Sequence, residues 1–162
     1  MPQHPPCVID IEASGFGRHS YPIEVGFVRA DGQAWCSLVR PTDDWLHWDA
    51  AAEHVHGISR EHLLQHGRSV AEVAHRLNHD LAGQTVYCDG WAHDYAWLAT
   101  LFDAAGLTPH FKLESVVRLM DDSRLARLDD MRRDAYVTLG INRHRASSDA
   151  RALQWALGQL AA

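Results

Sequence analysis

Ile23, Val25 and Phe27 alternate along one short run, the run Ala34 to Val39 follows, and Asp31-Gly32 lies between them. A turn dipeptide in that setting predicts a two-residue turn and an antiparallel hairpin. An earlier apolar run, Cys7 to Glu12, is separated from the hairpin by a Gly-rich turn. Three consecutive strands are therefore expected before any helix, and the chain opens as a β-meander.

After a Trp-rich loop the pattern changes period. Ser69-x-x-Glu72 reads as a capping box, and Val70, Val73, Leu77 and Leu81 share the face of the helix it opens, with Gly83 as the stop. Thr85 to Cys88 reads as a buried strand, Asp94 to Ala105 as a helix ending at Gly106, and Lys112 to Leu119 as a further strand. Leu128, Met131, Ala135 and Leu139 lie on one helical stripe before Gly140, and a last helix runs from about Ser148 to Leu160. A meander followed by alternating helix and strand predicts a mixed five-stranded sheet flanked by helices, the ribonuclease H-like α/β layout. All 162 residues are expected to form one domain.

Bulk properties exclude several classes. No apolar run approaches the ~18 residues of a membrane span. The opening Met1-Pro2-Gln3-His4-Pro5-Pro6 lacks the regions of a signal peptide, so a cytoplasmic location is expected. Cys7, Cys36 and Cys88 lie far apart in strand-like runs and read as buried free thiols. A formal charge of −6 argues against coating long nucleic acid by charge alone, while leaving a small catalytic pocket allowed. Twelve histidines come without any zinc-ligand spacing.

The informative residues are carboxylates. Asp10 and Glu12, two apart on a strand, leave the same face as Val8, and a divalent cation would cancel the cost of holding two like charges together. Chance alone supplies about half of one Asp-x-Glu pair in a chain with this composition, so two solvated charges at a strand end is the competing reading. Asp94 aligns with Leu98, Leu101 and Ala105 on the face that should meet the sheet, and Asp149 aligns with Leu153, Ala156 and Leu160. An aspartate in a first turn also favours the helix dipole without any further role. His144, five residues before Asp149 in the loop leading to the last helix, could reach a water near the same carboxylates. His75 and Asp80 repeat that spacing, but His75 faces away from its helix's apolar stripe.

Together, Asp10-Ile11-Glu12-Ala13-Ser14-Gly15, Asp94 and His144-Arg145-Ala146-Ser147-Ser148-Asp149 resemble the three motifs of the DEDD exonucleases, in the subgroup with histidine in the third motif (DEDDh). Tyr21-Pro22-Ile23-Glu24-Val25-Gly26 and His56-Gly57-Ile58-Ser59 resemble further signatures of that family, so the likeness covers nearly the whole chain. One departure is local: the family commonly has His-Asn and then Phe before its second-motif aspartate, where this chain reads Asp89-Gly90-Trp91-Ala92-His93-Asp94. Asp89 is the local competitor, and the alignment favours Asp94.

The resemblance implies a 3′→5′ exonuclease that hydrolyses single-stranded DNA or short RNA from its 3′ end and releases nucleoside 5′-monophosphates. It implies two Mg²⁺ or Mn²⁺ ions, with Asp10, Glu12 and Asp149 on one, Asp10 shared with the second, Asp94 acting partly through water, and His144 as the base. Ser14, Gly15 and Phe16 would hold the terminal nucleotide, although Phe16 reads equally well as a loop residue covering core. The rival function is a non-catalytic nucleic-acid-binding module that keeps the fold. No membrane partner is expected; protein partners, a homodimer among them, are left open.

Other features carry bland readings beside the functional ones. Trp45, Trp48, Trp91 and Trp97 can stack bases or cover core. His54, His56 and His62 can bind zinc, or His56 can belong to a structural turn. His75 and His79 read as a solvated face. Seven arginines from Arg124 to Arg151 can grip phosphates, but the aspartates among them favour a salt-bridged surface.

Overall fold

The computed structural model describes residues 4–162; the Met1-Pro2-Gln3 portion of the opening segment lies outside the described residues. Strands β1 (Cys7–Ala13), β2 (Pro22–Val28), β3 (Ala34–Leu38), β4 (Thr85–Cys88) and β5 (Lys112–Ser115) form one sheet in the order β3-β2-β1-β4-β5. The first three are antiparallel neighbours, and β4 and β5 continue the sheet in parallel from β1. This is the expected mixed ribonuclease H-like sheet.

Helices cover both faces. Alternation along β1 sends Ile9 and Ile11 into a core with α3 (Val70–Leu81) and α4 (Trp91–Ala105), where Val73, Leu77, Leu98 and Leu101 pack. It sends Val8 to the opposite face, against Leu153, Ala156 and Leu157 of α7 (Ala146–Ala161) and Leu128 of α6 (Leu128–Leu139). The Ser69 hydroxyl accepts from Glu72 N at 3.2 Å, as a capping residue should. Gly140, at φ 65, closes α6 by donating to the Tyr136 and Val137 carbonyls.

Five expectations need correction. The hairpin loop has three residues, 30–32: Val28 pairs with Ala34, Arg29 N donates to Gln33 O at 2.8 Å, and Gly32 takes φ 85. The loop after β3 contains two seven-residue helices, α1 (Ala50–His56) and α2 (Arg60–His66), capped by Asp49 and Ser59. The Lys112 to Leu119 strand stops at Ser115, whose hydroxyl caps a 3-10 turn over Val116–Leu119, and a one-turn helix, α5 (Asp122–Leu125), follows. Helix α4 starts one turn earlier than expected, at Trp91. Cys7 and Cys88 are buried, but Cys36, on the edge strand β3, is exposed. Among the described residues no helix is long and apolar enough to cross a membrane.

Candidate active site

The face of β1 that carries Val8 carries Asp10 and Glu12 next, and the antiparallel register sets them opposite Gly26 and Glu24 of β2. Gly26 has a steric reason to be glycine. A Cβ there would lie 2.8 Å from both the Ala146 carbonyl carbon and the Ser147 nitrogen, so only a bare backbone lets the first turn of α7 lie on the strand. Glu24, only 2% exposed, binds that same helix end: one oxygen accepts from Ala146 N at 2.7 Å, and the carboxylate takes the Arg145 guanidinium at 2.7 to 3.1 Å. The helix N-terminus therefore meets an anion from the sheet, which also favours its dipole.

Docked in this way, α7 lowers Asp149 onto the strand carboxylates. Ligand oxygens of Asp10, Glu12 and Asp149 all lie within 4.8 Å of one another. Asp149 is held from two further directions. The Tyr136 hydroxyl of α6 donates to its Oδ1 at 2.5 Å, and His144 N donates to both its oxygens at 3.1 Å. The backbone that makes this last contact is left-handed: His144 has φ 64, the one non-glycine residue with positive φ among the described residues. Its side chain is exposed and turned to the same cleft.

Asp94 arrives from the other face, in the first turn of α4 at the carboxyl end of β4. It is buried, on the stripe of Leu98 and Leu101, as its position on the helical wheel predicts. It stands outside the three-carboxylate group but lines the same cleft of about 410 Å³ with Asp10, Glu12, His144 and Asp149. Asp89 lies at the rim, paired with Arg132 of α6, which also enters the cleft.

Crowding of anions marks the electrostatics. Burial, then the charges of Glu12, Asp94 and Asp149, push the Asp10 carboxyl well above the ordinary carboxylate range. Burial and then Asp149 push Glu12 to about 8, and burial pushes Asp94 to about 7. Asp10 Oδ2 is buried with no hydrogen-bond partner. An orphaned carboxylate oxygen among all-oxygen donors fits a hard divalent cation such as Mg²⁺ or Mn²⁺, which would supply the missing positive charge.

The three residues expected to cradle a nucleotide separate. Gly15 and Phe16 line the cleft, and Phe16, 68% exposed, forms an aromatic wall with His93 at 5.0 Å and Trp97 at 6.0 Å between ring centroids. Ser14 does not reach the cleft. It is fully buried, its hydroxyl bonded to His47 Nδ1 at 2.8 Å and accepting from Tyr21 N at 3.1 Å, while its backbone N–H and C=O bond Tyr21 and Asp49. With every polar group engaged, Ser14 fastens the loop instead. The His56 ring is buried, its Nδ1 accepting from Ile58 N at 3.0 Å, so it belongs to the turn into α2. His75 and His79 are exposed, as expected.

Sequence reading missed Tyr136, Arg132 and His93 as cleft neighbours and gave no physical role to Glu24. Tyr136 and Arg132 sit at the edge of the apolar stripe of α6, where no periodicity marks them. The pairing of Glu24 with Arg145 spans 121 residues and leaves no local signal.

No protein-family model matches the chain, and no curated protein sequence matches it. Solved structures do. Exonuclease I from Methylocaldum szegediense superposes with a TM-score of 0.69 at 18% identity over 95% of this chain and 39% of its own. Escherichia coli Exonuclease I in complex with a dA16 oligonucleotide gives 0.71 at 16%, covering 95% and 40%, and a product-bound exonuclease I gives 0.70 at 16%, covering 95% and 42%. The chain thus spans about two fifths of the length of these proteins. At such identities the likeness establishes the fold.

Proposed function

We propose that the chain is a 3′→5′ exonuclease, of the DEDDh kind, that hydrolyses the last phosphodiester of a single strand with the help of two divalent cations. The observation that carries the reading is the meeting of Asp10, Glu12 and Asp149 within 4.8 Å, with Asp10 Oδ2 orphaned and the exposed His144 lining the same cleft. A strand carboxylate pair gains nothing from a third carboxylate unless a cation is shared. The fold likeness to exonuclease I, structures of which hold a dA16 oligonucleotide and single-stranded DNA, supports the same reading.

Asp10, Glu12 and Asp149 would hold the cation, Asp10 would face a second, and Asp94 would act at longer range. Bound cations would stabilise charge on the scissile phosphate and lower the pKa of water. The His144 imidazole takes the proton as water oxygen bonds to phosphorus and the bond from phosphorus to the 3′ oxygen breaks. The freed 3′ oxygen takes a proton from solvent, so the shortened strand leaves with a 3′-hydroxyl, and the released residue is a nucleoside 5′-monophosphate. Phe16, His93 and Trp97 give the terminal base a stacking wall. A duplex end would have to fray before its last base reached that wall, so single strands are the expected substrate.

The test is release of mononucleotides from labelled DNA and RNA strands in Mg²⁺ or Mn²⁺, with a circular single strand and an excess of chelator as controls. Activity from 3′ ends that chelator abolishes is expected. Nicking of the circle, or full activity in chelator, overturns the reading, and strand binding without hydrolysis identifies a non-catalytic module.

A further inference from the structure

A second cavity, of about 290 Å³, opens beside the cleft and shares Arg132, His144 and Asp149 with it. Its remaining walls are Asp129, Arg133, Tyr136 and Arg143. The two cavities differ in charge. The cleft gathers Asp10, Glu12, Asp89, Asp94 and Asp149 against Arg132, whereas the second cavity gathers three guanidiniums against Asp129 and Asp149, and the charge of Asp149 is already committed to the proposed cation.

These arginines are not equivalent. Arg132 pairs with Asp89, and Arg133 bonds Asp130 at 2.8 Å on the exposed side of α6. Arg143 has no carboxylate partner among the described residues. Its guanidinium instead lies 5.0 Å from the centroid of the Tyr136 ring, and the hydroxyl of that ring holds Asp149. A cation–π contact fixes the position of a guanidinium while leaving its in-plane N–H donors free. Planar donors with no carboxylate to engage them, lining a cavity beside the proposed phosphodiester site, match a phosphate oxygen pair.

We propose that this cavity is a phosphate subsite, with Arg143 as its principal donor, that grips the phosphate one step 5′ of the scissile one as the strand leaves the cleft. The inference rests on the exonuclease reading of the cleft. It adds the direction of the strand, past His144 toward α6, and a source of affinity in a chain whose net charge is −6. The subsite recognises backbone and not base, so the grip is independent of sequence.

Binding of a fluorescent single-stranded oligonucleotide, measured by anisotropy in Ca²⁺ across a salt series, tests the subsite apart from turnover. Arg143→Ala is expected to weaken binding roughly tenfold, the lower range for a charged hydrogen bond. It should also flatten the salt slope by ~0.7, the share of one single-strand phosphate. A strand whose second linkage from the 3′ end is a neutral methylphosphonate should bind the unaltered protein about tenfold more weakly, and Arg143→Ala no more weakly than the all-phosphate strand. Arg118→Ala, which removes an exposed charge outside both cavities, is the control. Unchanged binding by Arg143→Ala, a methylphosphonate penalty that persists in that variant, or an equal loss in Arg118→Ala overturns the subsite. Melting temperatures confirm that the variants fold. Release of mononucleotides by the unaltered protein in Mg²⁺ is scored separately, so that failure of the subsite and failure of the exonuclease reading give different results.

Discussion

Helices α4 and α7 each present an aspartate to the cleft from the first turn, yet the two ends are built differently. The α7 end is fastened from outside: Glu24 takes its first free N–H and its flanking guanidinium, Gly26 lets it touch the strand, and Tyr136 and His144 N–H fix the carboxylate itself. The α4 end begins at Gly90 with no side-chain cap, and Asp94 is held chiefly by burial. A carboxylate held by several directional bonds suits direct coordination, where oxygen positions matter to a fraction of an ångström. One held chiefly by packing, with only the weak thiol of Cys88 as a side-chain partner, suits work through a water, which absorbs small errors of position.

Replacing the two aspartates is the most severe trial of that contrast. Asp149→Asn is expected to remove detectable nucleotide release and to weaken Mg²⁺ binding, whereas Asp94→Asn retains measurable Mg²⁺ binding by calorimetry. Equal loss of metal affinity in the two variants would erase the distinction. His144→Ala should lower turnover by ~10²–10⁴-fold, the usual worth of a general base, with metal affinity nearly unchanged. A variant unable to bind metal would make His144 a ligand. Tyr136→Phe removes one tie from Asp149 and should cost ~10–100-fold in metal affinity or activity, as loss of a ligand's hydrogen-bond partner commonly does. Titrating Mg²⁺ against the Phe variant checks it, and wild-type affinity would show the tie to be idle.

The smallest expected effect is on stability against pH. Glu12 and Asp94, raised to about 8 and about 7 from ordinary values of 4.5 and 3.8, take up protons on folding between those limits. Their contribution is full below the unfolded values and is lost as pH rises through the folded ones, so the metal-free protein should melt lower at pH 8 than at pH 5. Each kcal/mol lost lowers the midpoint by about 2–4 °C in a chain of this size. Asp94→Asn should flatten the slope, and saturating Mg²⁺ should remove or reverse it. Thermal melts in chelator and in Mg²⁺ across that range decide, and a midpoint rising with pH in chelator would show that the cluster is not charge-frustrated.

Sequence exposes whatever depends on period and neighbours. Asp10 and Glu12 on one strand face, Asp94 and Asp149 on apolar helical stripes, and the sheet with its flanking helices all follow from residues within a few positions of one another. Helices α1 and α2 escape notice because seven residues are too few for a 3.6-residue period to repeat convincingly. The hairpin loop is misread by one residue because Asp-Gly serves a two-residue turn and a bulged three-residue loop equally. Ser14 misleads for a different reason: next to a motif a hydroxyl reads as a ligand contact, and only the fold reveals that His47 and Tyr21 already occupy it. Arg143 is one of seven arginines from Arg124 to Arg151, and it becomes distinct only when the fold sets it, without a carboxylate, in a cavity beside the cleft.

The bare backbone at Gly26 makes the distance between sheet and helix a property of one missing carbon. A methyl group at that position has nowhere to go but against the main chain of residues 146 and 147, and backbone does not yield as a side chain does. Gly26→Ala is thus a wedge: every site residue keeps its identity while the blade that carries Asp149 is levered off its hinge. A chain altered at this one inert position would look intact in any inventory of chemical groups and still have lost the meeting of Asp149 with Asp10 and Glu12.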